Sequence, residues 1–112
     1  MNNFLTQLKE QPNSISFDMT MALIDQFYNF TPTEFVNGEL VNKAGENNGS
    51  CKLFAFAKLQ SLTEEQTLHC FGDYYRQDVL ANSQGQDHQN IRNFIKTGWS
   101  AIIFKEQPLI LK

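Results

Sequence analysis

The residues best suited to chemistry in this chain are a cysteine and two histidines. Cys51 follows a run of small polar residues, "AGENNGS" at 44–50, and opens a dense apolar stretch, "CKLFAFAKL". A thiol in the first turn of a helix feels the partial positive charge of unpaired amides, which lowers its pKa. Gly45 and Gly49 would let a substrate approach closely. A cysteine-dependent hydrolase or transferase also needs a base, and the chain offers only His69 and His88. His88 is the better candidate, because Asp87, Asn90 or Asn93 could orient it. Against this chemistry stand Leu53, Phe54, Phe56, Ala57 and Leu59, which leave the following helix little solvent face. Burial raises a thiol's pKa, so Cys51 is expected to be structural and largely inaccessible.

Other chemistries are weaker. "GENNGSCK" has three residues between Gly45 and Gly49, and Ser50 and Cys51 precede Lys52. A nucleotide-hydrolysing phosphate loop needs four residues, then lysine and a hydroxyl directly after the second glycine, so that reading is rejected. A simpler anion site beside Lys52 is conceivable, but ordinary capping by Ser50 is favoured. His69 and Cys70 are adjacent and would point about 100° apart on a helix, so no metal site is expected from them or from His88 with Asp87. Arg76 and Arg92 could edge a ligand site among aromatics or tie helices together through carbonyls, Asp78 and Asp87; the second is favoured.

These residues need elements to position them. Phe4, Leu5 and Leu8 trace a short helix ended by Pro12, and Ser14 or Ser16 caps a second with Phe17, Met21, Ile24 and Phe27 or Tyr28 on one stripe. Pro32 breaks the pattern, Thr33 can cap a brief turn over Glu34–Val36, and Asn37-Gly38 predicts a type I′ turn with both residues at positive φ. Ser50 then caps a central helix near 51–61, and "TEEQ" at 63–66 has the form of a capping box. Gly72 stops that next helix, and Tyr74 to Leu80 add a turn or two. Asp87 caps a last helix with Ile91, Phe94 and Ile95 toward the core, ended by Gly98. "SAIIF" and "PLIL" are the best strand or hairpin candidates. The expected fold is mainly α (α+β): one compact helical domain spanning 1–112, with a small C-terminal β element.

Composition narrows the partners. The net charge is −3 with no lysine- or arginine-rich run, which argues against a nucleic-acid binder. The longest apolar run is too short to span a bilayer, and Met1–Leu5 lacks the basic start of a secretory signal. Two cysteines without metal spacing suit reduced thiols in a cytoplasmic protein.

Several blocks together, "YNFTPTEFVNG", "NKAGENNGSCKLFAFAKLQ", "TLHCFGDYYRQDVL" and "DHQNIRNFIKTGWSAIIF", are similar to the HopJ type III effector family from about Phe17 to Phe104. The resemblance implies a bacterial origin and delivery into a host cell by a type III system; it carries no assigned catalytic residue, substrate or cofactor. Function is expected to be binding or interaction through a polar pocket near 37–52 and 88–92. Asn37, Asn47, Ser50, Lys52, His88 and Arg92 would line it for a small polar ligand or a protein partner. The alternative is the cysteine-dependent enzyme using Cys51 and His88.

Overall fold

The middle of the chain forms a helix with almost no solvent side, and the other elements pack around it. A computed structural model describes residues 1–112. Helix α3 (Asn48–Leu59) buries Cys51 and Leu53 through Ala57. Phe54 is fully buried and meets four aromatic rings: Phe94 at 5.0 Å, Phe71 at 5.4 Å, Phe35 at 6.2 Å and Trp99 at 6.3 Å between centroids. Phe56, on the other side, takes Phe4 and Tyr28 edge-on. Leu59 lies at the exposed end of the helix.

Helices α1 (Asn2–Glu10) and α2 (Phe17–Phe27) precede it, joined by a 3₁₀ turn at Pro12–Ser14. Of the two serines offered as caps, Ser16 takes the role, its hydroxyl accepting from the Met19 amide at 3.1 Å. Helix α4 (Glu64–His69) has the full capping box: Thr63 accepts from the Gln66 amide, and the Gln66 side chain accepts from the Thr63 amide. Gly72, at φ +63°, is packed on the backbone of Ser16 and Phe17, where a Cβ would come within 2.7 Å of a backbone nitrogen. A π-helical turn, Tyr74–Val79, leads toward α5 (Gln89–Thr97), which Gly98 ends.

Both tail segments form strands as expected, and they pair with earlier strands rather than with each other in a hairpin. Strands β1 (Tyr28–Phe30) and β2 (Phe35–Asn37) lie antiparallel to β5 (Leu109–Leu111) and β4 (Ile102–Phe104) respectively, in one shared register. Bonds from Thr31 to Pro108 and from Lys105 to Glu34 bridge the gap between the two ladders. The tail therefore runs as one ribbon beside residues 28–37, interrupted where Pro32 and Pro108 remove amide donors. Strand β3 (Leu40–Asn42) folds back on β2 in a two-residue hairpin.

Four local expectations are corrected. Phe35–Asn37 is a strand rather than a turn, held by Phe35 against Phe54 and Phe104. Gly38 alone takes the positive φ, +64°, while Asn37 is the last strand residue; a glycine-first two-residue loop needs only that one. Ser50 and Asp87 cap nothing, because the N-cap positions of α3 and α5 belong to Asn47 and His88. Ile95 points outward at 47% exposure, one step around the helix from the buried Phe94.

Candidate functional site

Both helices whose starts were misplaced begin at the same cleft. Asn47 (φ 52°) and His88 (φ 51°) stand as their N-caps in the left-handed region, and neither helix has a side-chain cap. First-turn amides lack intrahelical partners, and no acidic side chain occupies either first turn. The cleft between them has a volume of about 630 Å³. Its floor is Asn47, Gly49 and Ser50 from one side and His88, Gln89, Asn90 and Ile91 from the other. Phe17, Phe71 and Tyr74 form an aromatic wall, and Leu40 also lines the cleft. A Cβ at Gly49 would stand 2.8 Å from the tip of the Phe17 ring, so any larger residue there would displace that ring. The half-buried Ser50 hydroxyl has no hydrogen-bond partner within the protein, as the side-chain bonds show.

An asparagine cluster sets the distance between the two sides. Asn90 Oδ1 accepts from Asn37 Nδ2 and from Asn42 Nδ2, each at 3.1 Å, and Asn90 Nδ2 donates to Asn42 Oδ1 at 2.9 Å. Asn47 Nδ2 donates to the same Asn42 oxygen at 2.7 Å, and Asn93 Nδ2 to the Asn37 carbonyl at 3.1 Å. Asn37, Asn42 and Asn90 are all buried. The hairpin is thereby tied to α5 and to the residue that starts α3. Asn37 Oδ1 is the one fully buried side-chain oxygen or nitrogen without a partner.

The predicted residues separate into two groups. Asn47, Ser50 and His88 meet at the cleft. Asn37 lies behind it in the asparagine cluster. Lys52 points to another face, where it pairs with Asp25 at 2.9 Å and sits 5.1 Å from the Phe30 ring centroid. Arg92 is buried and satisfied by the Asp87 and Asn82 carbonyls and by Asp87 Oδ1 at 2.6 Å. That last bond holds the Asp87 carboxyl below the usual carboxylate range. Arg76 binds the carbonyls of Pro12, His69 and Ile15, so both arginines tie segments together.

Cys51 is 1% exposed, and burial pushes its thiol up to about 11, partly offset by a backbone hydrogen bond at Thr33. Its sulfur lies 3.8 Å from the Thr33 carbonyl. His88 instead bonds Asp78 at 3.0 Å, with Asp87 at 3.7 Å and the Tyr74 ring tilted across it at 5.1 Å. No hydrogen bond joins Cys51 to His88. Sequence reasoning missed Asn42 and the aromatic wall. The signals were there: asparagines at 37 and 42 flank the turn, and Phe17 starts the stripe of α2.

An α+β chain wound around a buried central helix, with a cleft built from two helix starts, is the class that fold and site define. Residues 1–109 match the family described as HopJ type III effector protein, and the chain belongs to that family. A crystal structure titled as that of VPA0580, a protein of unknown function, is 51% identical, with a TM-score of 0.99 over 100% of this chain and 93% of that one. No curated protein matches the chain significantly. No helix is long and apolar enough to cross a membrane.

Proposed function

We propose that the chain is a single binding module, residues 1–112, whose site is the cleft between the starts of α3 and α5. The observation that carries this is the joining of hydrogen-bonding groups from both loops to one aromatic wall. Ser50, Asn47 and Gln89 offer polar side chains beside uncapped amides, while Phe17, Phe71 and Tyr74 offer flat apolar surface. Such a mixture suits a ligand with acceptor oxygens at one end and a planar or apolar body, since a few placed polar groups on an apolar wall fix orientation. The ligand is a small polar molecule or a short segment of a protein partner. The family name supports synthesis in a bacterial cytoplasm and delivery into a host cell by a type III system. The cysteine-enzyme alternative finds no support in a buried thiol of raised pKa with no base in hydrogen-bonding contact.

A screen of small polar compounds, followed through the amide resonances of Gly49, Ser50, Gln89 and Asn90, tests the reading. Ligands are expected to shift those amides, and Gln89→Trp, which fills the mouth from an exposed position, should abolish the shifts with an unchanged unfolding midpoint. Ligands that map elsewhere, or bind Gln89→Trp equally well, would refute it.

A further inference from the structure

We propose that Asp78, Asp87 and His88 form a site for a divalent transition-metal ion at the rim of the cleft. One donor atom from each lies within 4.8 Å of the others. His88 Nε2 is 3.0 Å from Asp78 Oδ2 and 3.7 Å from Asp87 Oδ2. Nitrogen and oxygen ligands at about 2.0–2.2 Å from an ion, at tetrahedral or octahedral angles, stand roughly 2.9–3.5 Å apart. The His88–Asp78 separation lies inside that range and the His88–Asp87 separation just beyond it, so an ion fits once the two carboxylates rotate inward.

The donors come from two elements that the fold brings together: Asp78 from the π-helical turn, Asp87 and His88 from the start of α5. Groups outside the triad hold two of them. Arg92 binds the other Asp87 oxygen and is itself fixed by two backbone carbonyls. Tyr74 lies against the His88 ring at 33°. Such supports orient ligands and are a regular part of metal centres. The imidazole also distinguishes this triad from a patch of surface carboxylates, because imidazole with carboxylate suits Mn²⁺ and Zn²⁺. Three protein ligands leave positions open, and His88 is common to the triad and the cleft.

The site stands apart from the ligand reading above, because its test uses metal alone. Histidine-ring resonances are followed during Mn²⁺ titration, with Zn²⁺ titration calorimetry alongside. His69, the other histidine, faces Arg76 and serves as the internal reference. Mn²⁺ is expected to broaden the His88 ring selectively, and Zn²⁺ to bind one to one. Asp78→Asn, whose side chain bonds His88 only, should weaken both metals about tenfold or more with the fold intact by amide spectra. Equal broadening of both rings, no binding heat, or undiminished affinity in Asp78→Asn would each overturn the proposal.

Discussion

Replacing Asn90 by alanine tests whether the asparagine cluster holds the hairpin to α5. The side chain is 6% exposed and makes three hydrogen bonds, two accepted from Asn37 and Asn42 and one donated to Asn42. Some partners survive the change. Asn37 Nδ2 keeps the Asn90 carbonyl at 2.8 Å, and Asn42 Oδ1 keeps Asn47. Asn42 Nδ2 is left with only the Phe35 carbonyl at 3.5 Å. A net hydrogen bond contributes about 0.5–1.5 kcal/mol, and stranding a buried donor costs about 1–3 kcal/mol. A loss of about 2–4 kcal/mol follows, or about 8–16 °C at roughly 4 °C per kcal/mol for a chain of this size. Urea unfolding with an unchanged m-value measures it. Asn90→Asp provides the chemical control: it keeps an acceptor, but faces Asn42 Oδ1 with a second oxygen. Protonation restores the donor, so that variant should gain stability relative to wild type as pH falls. A loss below about 1 kcal/mol for Asn90→Ala would refute the reasoning, since it would mean that the cluster adds little beyond what water supplies.

Phe56→Ala should cost about 3–5 kcal/mol, because the ring is fully buried between Phe4 and Tyr28; an unchanged unfolding midpoint would contradict its place in the core. In a Cys70→Ser background, thiol labelling of Cys51 at neutral pH should be slow and accelerate only with denaturant, as its raised pKa and burial require; rapid labelling of the native protein would return Cys51 to chemistry. His69 titrates below its ordinary 6.5, through burial first and then the Arg76 guanidinium, which donates to Nδ1 at 3.2 Å. Its folded pKa is lower than its unfolded one, so it contributes stability above the unfolded pKa that is lost as pH falls below it. Chemical unfolding between about pH 7.5 and pH 5 should therefore show a steeper decline for wild type than for His69→Gln, and parallel profiles would contradict it.

The helical frame was legible because its signals are local. The Thr63–Gln66 box and the stop at Gly98 involve residues within a few positions of one another, and each formed as expected. Strand pairing was not local. "SAIIF" and "PLIL" have strand composition, but nothing within them says that their partners lie some seventy residues earlier. A hairpin was the nearest pairing within reach. The tail instead covers residues 28–37, where Phe104 meets Phe35 and Leu109 is buried beside α3. Burial of these side chains outweighed the cheaper closure of a short loop, which gains only slowly over a long one.

The errors at the site have a common form. Ser50 and Asp87 have the chemistry of N-caps, and local propensity assigned them that work. The chain starts both helices elsewhere, with Asn47 and His88 at positive φ and the first-turn amides without a side-chain acceptor. Left-handed geometry costs a non-glycine residue on the order of 1–2 kcal/mol, and omitting a cap forgoes about another 1 kcal/mol. Folding alone does not favour that choice twice. Of the three non-glycine residues at positive φ, two are these, and both line the one cleft. Departures from local rules gather where a protein gives up stability for something else. The same departure frees Ser50 to face the cleft and turns Asp87 toward Arg92 and His88. Restoring a cap would therefore set stability against binding, because a side-chain acceptor on the α3 amides would compete for whatever those amides hold.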